Sequence, residues 1–238
     1  MKFDFRGKNI LITGASRGIG KSIANEFYKL GGNVLGTSAT KSLKKKRFEL
    51  IKVNFFKKEE LENFCEYLKN KKIDILINNA GINKISSIDK IDINDVRNIL
   101  YINLEIPTLI SSIVSKNMIK KKVGKIINIS SIFGLVSKEK RSSYSSSKFG
   151  ILGLTKSSAL DLASYNILVN SISPGFIDTE LTRKILKLSG MKKMSKAIPV
   201  KRLGKVKEIA YLSMFLASSY NTYITGQNIV IDGGFTSK

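Results

Sequence analysis

Short apolar runs rich in Ile, Val and Leu alternate along the chain with longer segments of amphipathic helical spacing. Apolar runs of this kind are typical of strands that are buried on both faces of a parallel sheet. The predicted strands are residues 9–13, 33–37, 50–53, 73–77, 125–129, 167–172 and 223–231. The alternation predicts an α/β fold, a Rossmann-like doubly wound parallel sheet of about seven strands with helices on both faces.

Helical patterns separate these strands, and one polar segment breaks the alternation. Helices are predicted to end near residues 30, 68 and 162, and two more cover 96–112 and 208–217. Residues 178–204 are helical only in parts, with Gly190 and Pro199 as breakers and no clear strand. Such a segment at the carboxyl end of a sheet is a candidate substrate lid. We see no repeat or linker and expect one domain over residues 1–238.

The first predicted strand runs into a glycine-rich turn, TGASRGIG at residues 13–20, which opens the first helix. Gly14 suits a tight turn, Gly18 a close approach of backbone to pyrophosphate, and Gly20 close packing of helix on strand. Unpaired amides and the positive dipole end of the helix favour a phosphate at this point. The order predicts a dinucleotide site, against the alternative of a tight turn with only a structural role.

The end of the second strand indicates which dinucleotide is bound. Sites that prefer NAD usually carry an acidic residue here for the ribose hydroxyls. This chain has Ser38, followed by Thr40 and Lys41, and Arg17 lies inside the glycine turn. Hydroxyls and cations suit a 2′-phosphate, and no carboxylate stands at this point to repel it. We therefore expect NADP(H).

Tyr144 and Lys148 stand at i and i+4 of a predicted helix, so their side chains share one face. A phenol with a pKa of about 10 exchanges protons poorly near neutrality, and a neighbouring ammonium lowers that pKa. Ser131 follows a buried strand, at the edge where open α/β sheets bind ligands. The three residues predict an acid–base site, although the Tyr–Lys pair alone could be a solvated helix pair.

Amide side chains mark two further places near this edge. Asn78, Asn79, Ala80 and Gly81 follow the fourth strand, where they form either a simple turn or a support that holds backbone and cofactor in register. Asn103 lies among apolar residues within a predicted helix, a position that disfavours Asn unless its amide has a partner.

Composition limits the chemistry that the chain can perform. The 238 residues include no His and one Cys, Cys65, which falls on the apolar stripe of a helix. His-based triads, an intrachain disulfide and nearly all metal sites of His and Cys are thereby excluded, so no metal is expected. We find no signal-like apolar segment at the start and no apolar run long enough for a bilayer, and expect a cytoplasmic protein with no membrane partner.

Charge leaves one further class of partner open. The chain has 41 Lys and Arg against 18 Asp and Glu, a formal net charge of +23. Such an excess fits nucleic acid or an acidic protein. Because the lysines scatter through every segment and no recognition motif is present, we expect no nucleic acid. The net charge then either attracts an acidic partner or reflects a lysine-rich composition without a binding role.

Together these motifs resemble the short-chain dehydrogenase/reductase family. The matching segments, in the family's order and spacing, are TGASRGIG at 13–20, NNAG at 78–81, Asn103, Ser131, Tyr-x-x-x-Lys at 144–148 and PGF at 174–176. The likeness covers essentially the whole chain. Within the family, GTSAT at 36–40 and PGFIDTELTR at 174–183 are most similar to 3-oxoacyl-[acyl-carrier-protein] reductases.

The resemblance implies a role for each site residue. Tyr144 would donate the proton when a ketone is reduced, and Ser131 would hydrogen-bond the substrate oxygen. Lys148 would lower the pKa of Tyr144 and bind the nicotinamide ribose, and Asn103 would hold a water that links Lys148 to solvent. Besides Tyr144 and Lys148, the implied cofactor residues are Gly14, Ser16, Arg17, Gly18, Ile19, Gly20, Thr37, Ser38, Asn54, Asn79, Ala80, Gly81, Pro174, Gly175, Ile177 and Thr179.

Some positions depart from the family pattern. Asn54 replaces a common Asp near the adenine, and Tyr165 replaces an Arg that often meets the acidic carrier, although Lys122 is another basic contact. Arg141 replaces an uncharged residue at the substrate mouth. It is either a solvated loop residue or, like Ser131 and Tyr144, a substrate residue, with a planar fork suited to an anionic group.

We therefore expect an NADPH-dependent oxidoreductase that reduces a carbonyl to an alcohol. The first choice of substrate is a 3-oxoacyl group on acyl carrier protein, as in fatty-acid synthesis. The alternative is a dehydrogenase acting on a small polar or sugar-derived alcohol or ketone, and a remote third is a non-catalytic basic nucleic-acid-binding protein on the same scaffold. The family's usual assembly implies a homotetramer, formed through the helix with Tyr144 and the last strand region.

Overall fold

A parallel sheet of seven strands lies at the centre of the computed structural model, which describes residues 2–40 and 48–237. The strands are β1 (Asn9–Ile12), β2 (Asn33–Ser38), β3 (Glu49–Lys52), β4 (Ile75–Asn78), β5 (Gly124–Ile129), β6 (Ile167–Pro174), β7 (Ile177–Asp178), β8 (Gly204–Lys205) and β9 (Asn228–Ile231). The sheet has the order β3-β2-β1-β4-β5-β6-β9, and β7 pairs separately with β8. The predicted doubly wound sheet of about seven strands is confirmed.

Helices cover both faces of the sheet. They are α1 (Gly18–Lys29), α2 (Lys58–Lys69), α3 (Ile93–Leu100), α4 (Ile106–Lys121), α5 (Ser142–Ala163), α6 (Glu180–Ala197) and α7 (Val206–Ala217). One core cluster includes Phe27 of α1 and Ile209 of α7, and the other includes Leu68 of α2 and Ile110 of α4. The strands alternate side chains between these clusters, which accounts for their continuous apolar sequences.

The strand order reverses between β1 and β4, and this reversal creates the crevice in which such sheets bind ligands. From β1 the chain moves outward through β2 and β3, then returns to the other side of β1 for β4, β5 and β6. The turns after β1 and β4 therefore lie side by side at the carboxyl edge.

The last strand is shorter than the sequence predicts. The expected strand at 223–231 is wrong over its first part, because only Asn228–Ile231 has regular strand geometry. The preceding residues contact β6 differently: the Asn170 side chain donates to the Ile224 carbonyl at 2.7 Å, and Gly226 has a φ of 70°. A left-handed glycine and a side-chain contact interrupt the regular ladder.

The segment 178–204 also differs from expectation. Gly190 is not a breaker, because α6 runs through it, and the helix is interrupted instead at Lys187, with φ 52° and ψ 178°. Pro199 does follow the end of the helix, as expected. The expectation of no strand is wrong as well, since Ile177 pairs with Gly204. That pairing joins residues too far apart in sequence for a local pattern to indicate.

The predicted helix at 96–112 is part of a longer helical run that includes a π-helical segment, Tyr101–Glu105, between α3 and α4. By length and composition the run from Ile93 to Lys121, which has 29 residues, could cross a bilayer, because it contains an apolar window with a mean hydropathy of 1.2, contrary to our expectation. The structure buries 56% of its apolar window inside the protein. It is accordingly placed as a core helix against the sheet.

Candidate active site

The glycine turn after β1 and the Asn-Asn-Ala-Gly turn after β4 are tied together at the carboxyl edge. The Thr13 hydroxyl accepts hydrogen bonds from the amides of Asn79 and Ala80, both at 3.0 Å. The Asn79 side chain donates to the carbonyls of Thr13 at 2.9 Å and Gly14 at 3.1 Å. Asn79 thus holds the two turns in register, which favours the second of our alternatives for this motif.

The glycine turn has the shape that a bound phosphate requires. Gly14 has a φ of 68°, and a Cβ there would lie 3.0 Å from the Cα of Ala80, so a larger residue would meet backbone. Gly18, with a φ of 55°, begins α1, and a Cβ there would meet only the Thr179 methyl group at 3.9 Å. This open space faces amides of the first turn, which lack intrahelical acceptors. The residues fit a pyrophosphate.

The remaining residues of the adenine side lie near the ends of β1, β2 and β3. Thr37 accepts from the Gly14 amide at 3.2 Å, and Ser38 is buried at the end of β2. Arg17 is exposed before α1, next to the half-buried Ser16 and Ile19. The Asn54 side chain accepts from the Phe56 amide at 3.1 Å. Lys41, the other expected cation, lies outside the described residues.

The segment after β6 reaches the same crevice from the other side. Pro174 ends β6, and Gly175 lies so close to Asp232 that a Cβ would come within 2.7 Å of it. Ile177 is buried in β7. Thr179 caps α6 by accepting from the Thr182 amide at 3.1 Å. The Thr179 methyl group would lie 3.9 Å from a Cβ on Gly18, so these two expected cofactor residues are neighbours.

Ser131, Tyr144 and Lys148 come together where β5 meets α5. Ser131 follows β5 and accepts a hydrogen bond from the Phe133 amide at 3.2 Å, and its side chain also interacts with the Tyr144 phenol. Lys148 is buried, and its Nζ donates to the Ile129 carbonyl at 2.9 Å. The same nitrogen lies 5.6 Å from the centre of the Tyr144 ring. A hydroxyl, a phenol and an ammonium thus share one small volume.

The electrostatics of Tyr144 differ from the expectation. Burial raises the pKa of its phenol, and the Ser131 hydroxyl and the Arg141 charge oppose this rise without cancelling it. Burial lowers the pKa of Lys148 to about 8. Lys148 is not among the groups that shift the Tyr144 pKa in this structure, and its Nζ is bound to the Ile129 carbonyl.

Asn103 is placed by the π-helical segment and is buried, with 1% of its surface exposed. Its side-chain oxygen accepts from the Ile82 amide at 2.8 Å, and its nitrogen donates to the Ile82 carbonyl at 2.9 Å and to the Ser147 hydroxyl at 3.0 Å. A Cβ on Gly81 would lie 3.4 Å from this oxygen and 3.8 Å from Lys148 Nζ. Asn103 therefore joins the loop after β4 to α5, beside Lys148, and its water-binding role stays a prediction.

Arg141 lies immediately before α5 and is half-buried, whereas the neighbouring Lys138 and Lys140 are exposed. Its guanidinium carbon lies 5.7 Å from the centre of the Phe133 ring. The contact favours a fixed position in the site over the solvated loop cation that the sequence left as an alternative.

Sequence reasoning missed a group of aromatic side chains at the mouth of the site. Phe133 packs edge-on against Tyr144, with ring centres 6.4 Å apart, and against Phe176 at 6.2 Å. Phe176 in turn meets Phe235 at 5.2 Å. Phe176 was available as a signal in the PGF motif, and Phe133 in the segment between Ser131 and Tyr144, but their contact depends on the fold.

Comparisons with known proteins agree with this geometry. A family model described as "Enoyl-(Acyl carrier protein) reductase" matches residues 14–236. A protein named 3-oxoacyl-[acyl-carrier-protein] reductase FabG from Buchnera aphidicola subsp. Schizaphis graminum is 40% identical, across 95% of this chain and 96% of its own length. The chain belongs to the short-chain dehydrogenase/reductase family. A FabG protein from Thermotoga maritima is similar as well, 35% identical over 96% of this chain and 97% of its own.

Solved structures of short-chain dehydrogenases share the whole architecture. A putative NAD(P)-dependent gluconate 5-dehydrogenase from Beutenbergia cavernae, with NADP bound at low occupancy, superposes with a TM-score of 0.94 at 26% identity over all of both chains. A gluconate 5-dehydrogenase from Burkholderia cenocepacia in complex with NADP and tartrate gives 0.89 at 28% identity, covering 100% of this chain and 98% of its own. The family resemblance inferred from the motifs is confirmed, and the chain is an oxidoreductase of this family.

Proposed function

We propose that this chain reduces a 3-oxoacyl group carried on acyl carrier protein to the 3-hydroxyacyl form, with NADPH as the reductant. The observation that carries the proposal is the convergence of Ser131, Tyr144 and Lys148 beside the glycine turn. The convergence occurs in a chain that is 40% identical to a protein named for this reaction.

The residues of the crevice fit a bound dinucleotide phosphate. The first turn of α1 presents amides to the open space at Gly18, and Arg17 and Ser38 provide a cation and a hydroxyl without a carboxylate. Bound there, NADPH would supply a hydride to the carbonyl carbon of the substrate. Lys148 would hold the nicotinamide ribose, and its ammonium would favour an anionic cofactor.

Tyr144 and Ser131 would act on the carbonyl oxygen. Negative charge grows on this oxygen as the carbon is reduced, and two hydroxyl donors placed there stabilise that charge. Tyr144 then gives its proton to the oxygen to complete the alcohol, and the tyrosinate regains a proton from solvent. A positioned proton donor of this kind contributes about a hundred- to ten-thousandfold to the rate.

The charge of the chain supports an acidic carrier as the vehicle of the substrate. A net charge of +23 attracts such a protein at long range. The exposed Lys122 remains available at one expected contact, whereas Tyr165 offers only an exposed neutral ring at the other. The attraction would therefore come from the general excess of lysines more than from one dedicated arginine.

The test is a screen of the purified protein for NADPH oxidation. We expect turnover of acetoacetyl groups on acyl carrier protein, and slower turnover of the same group on a free pantetheine thioester. Raising the salt concentration should lower kcat/KM for the carrier-bound substrate and change little for the free thioester, because salt screens long-range attraction. No turnover of either 3-oxoacyl substrate would overturn the proposal, as would turnover of an enoyl thioester alone.

A second candidate is oxidation or reduction of a small sugar-derived acid. It is favoured by two solved relatives named gluconate 5-dehydrogenase and by the Arg141 cation at the mouth of the site. Gluconate and related keto acids belong in the same screen, and a kcat/KM for one of them well above that for acetoacetyl thioesters would select this candidate.

We also infer the setting in which the enzyme works. The family's usual assembly supports a homotetramer, and the expected partners include neither nucleic acid nor a membrane. A cytoplasmic location follows from fatty-acid synthesis on a diffusible carrier. The segment at 178–204, which includes Thr179 and α6, lies beside Gly18 and would act as the substrate lid over a single domain.

A further inference from the structure

Arg141 is a partly desolvated cation whose place in the structure calls for an anion. Across residues 2–40 and 48–237, the side chain of Arg141 makes no ion pair within 4.0 Å, and the nearest acidic side chain in sequence, Glu139, is paired with Lys138 at 3.4 Å. Burial lowers the pKa of the Arg141 guanidinium, the direction expected of a cation held away from water.

Its position is fixed by the aromatic cluster of the active site. The guanidinium lies over the ring of Phe133. Phe133 stands two residues after Ser131, and its ring is roughly perpendicular to that of Tyr144. Arg141 also stands three residues before Tyr144, at the point where α5 begins, so both belong to the same turn of chain. The Phe133 ring therefore lies against both the Arg141 guanidinium and the Tyr144 ring.

Lys148 is the other cation near Tyr144, and one of its donors is already used by the protein itself. Its Nζ donates to the Ile129 carbonyl at 2.9 Å and lies 5.6 Å from the centre of the Tyr144 ring. A phenolate is stabilised by positive charge near its oxygen, and a second cation adds to the effect of the first. The first turn of α5 adds the positive end of a helix dipole near Tyr144.

We propose that Arg141 is a second positive charge for Tyr144, one that stabilises the phenolate and sets the pH range in which this side chain exchanges its proton. Arg141 is then a positioning residue that acts through Tyr144. The inference rests on the proposed role of Tyr144 but not on the identity of the substrate. The direction of the electrostatic effect agrees: the Arg141 charge lowers the pKa of Tyr144, against the larger effect of burial.

Among the described residues around Tyr144, Arg141 and Lys148 are the cations that we expect to stabilise its phenolate. Ser131 faces the phenol from the end of β5 and is neutral, and neither the 3-10 turn Ile132–Gly134 nor β6 carries a charged residue. The elements that pack against α5 carry Asp95, which is paired with Lys84 at 2.6 Å, and the exposed Arg97, Glu105, Lys116, Lys120 and Lys121. The exposed Lys138 and Lys140 lie in the loop before α5.

The first test measures the phenol directly and needs no substrate. The ultraviolet absorbance of phenolate is followed against pH for the wild type and Tyr144→Phe, and their difference isolates Tyr144. The same difference is taken between Arg141→Gln and the double variant Arg141→Gln/Tyr144→Phe. We expect Arg141→Gln to move the Tyr144 midpoint upward by about 0.5–1 pH unit, less than for a fully buried pair because Arg141 is only half-buried.

Two matched variants complete this test. Arg141→Lys keeps the charge and should restore most of the wild-type midpoint, whereas Lys138→Gln removes an exposed charge from the same loop and should leave the midpoint unchanged. An unchanged midpoint in Arg141→Gln, or an equal shift in Lys138→Gln, would overturn the proposal. Circular dichroism of each variant shows whether the fold is retained.

The second test uses turnover in both directions. Alcohol oxidation needs the phenolate as a base, so at neutral pH Arg141→Gln should lose about three- to tenfold in kcat, the fraction given by the shift in midpoint. Carbonyl reduction needs the phenol, which is already protonated at this pH, and should change little. Equal losses in both directions would show a loop-shaping role. A higher KM for carboxylate substrates alone, without a shift in midpoint, would assign Arg141 to substrate binding, and either result overturns the proposal.

Discussion

Burial favours the protonated form of the Tyr144 phenol. A phenol with the ordinary pKa of about 10 is protonated throughout the neutral range, and burial raises the pKa of Tyr144 further, so the side chain is ready to donate a proton. A protonated donor suits reduction of a carbonyl, whereas oxidation of an alcohol would first require the phenolate. At the scale of single residues, this state of Tyr144 supports the proposed reduction, and the proposed effect of Arg141 bears on how readily the phenolate forms.

We predict that Tyr144→Phe abolishes turnover and leaves NADPH binding intact, because the change removes only the hydroxyl and its proton. The edge-on contact of the ring with Phe133 is kept, so the fold should be unaffected. Turnover is measured as NADPH oxidation and binding as the fluorescence of bound NADPH. Retention of more than about a tenth of wild-type activity would contradict the role assigned to Tyr144.

We predict that NADPH affinity weakens as the pH rises above about 8, the pKa of Lys148. Below this pKa the ammonium is charged and attracts the anionic cofactor. Above it the free protein loses the charge, and binding must then be coupled to proton uptake, at a cost of up to about tenfold in Kd per pH unit. The measurement is a fluorescence titration at several pH values.

Lys148→Arg is the matched variant for this pH dependence, because Arg stays charged throughout the range. Its affinity for NADPH should vary much less between pH 7 and 10 than that of the wild type. Equal pH dependence in both proteins would assign the effect to another group.

We predict a preference for NADPH over NADH that Ser38→Asp reverses, since a carboxylate at the end of β2 repels a 2′-phosphate. Ser38→Ala is the control, because it removes the hydroxyl without adding charge and should weaken the preference without reversing it. Values of kcat/KM for both cofactors decide the matter, and equal values in the wild type would contradict it. Since Ser38 is buried, thermal unfolding of each variant is recorded alongside.

At the scale of elements, the sequence predicts the position of a strand well where the strand is a continuous run of mainly apolar residues. The observed β1, β5 and β6 match the predicted runs to within two residues, because strands buried on both faces consist largely of apolar residues. The π-helical segment could not be predicted in this way. It carries Asn103, whose side chain binds the backbone of Ile82 in the loop after β4, a contact between residues distant in sequence.

In the candidate site, too, some features could be predicted from the sequence and others could not. Ser131, Tyr144 and Lys148 could be found in advance, because parallel strands bring their carboxyl ends to one edge and helical spacing aligns the pair. The stacking of Arg141 on Phe133 and the binding of Lys148 to Ile129 depend on side-chain orientation. No spacing rule contains that information, so the electrostatics of Tyr144 could be known only from the structure.

We predict that Lys187→Gly stabilises the protein. Lys187 interrupts α6 with φ 52° and ψ 178°, a conformation that glycine adopts freely and other residues adopt at a cost of about 1–3 kcal/mol. Part of that cost should be recovered, offset by the greater entropy that glycine gives the unfolded chain, for a net gain of up to about 1 kcal/mol. Denaturant unfolding measures the change.

Lys193→Gly provides the comparison, because Lys193 is exposed in a regular turn of the same helix. Glycine there should cost about 1 kcal/mol. If both variants destabilise the protein equally, the interruption at Lys187 is not strained. If Lys187→Gly also lowers kcat/KM, the rigidity of α6 matters to the proposed lid.

At the scale of the whole molecule, the net charge of the chain opposes its assembly into oligomers. The net charge of +23 makes copies of the chain repel one another, so a stable oligomer needs apolar contacts that outweigh this repulsion. The structure offers two surfaces of this kind. The α5 helix exposes Phe149 and Leu160, and β9 forms an outer edge of the sheet, where Val230 is partly exposed.

We predict a homotetramer in which α5 packs against α5 of a partner and the β9 region forms the second interface. Leu160, which is 82% exposed, would be buried between the two helices, so Leu160→Asp should reduce the assembly to dimers or monomers. Leu188 of α6 is 81% exposed, and Leu188→Asp should leave the mass unchanged, because α6 belongs to neither surface. Size-exclusion chromatography with light scattering at micromolar concentration measures each mass. A monomeric wild type would contradict the prediction outright, whereas loss of assembly in Leu188→Asp alone would move the interface from α5 to α6.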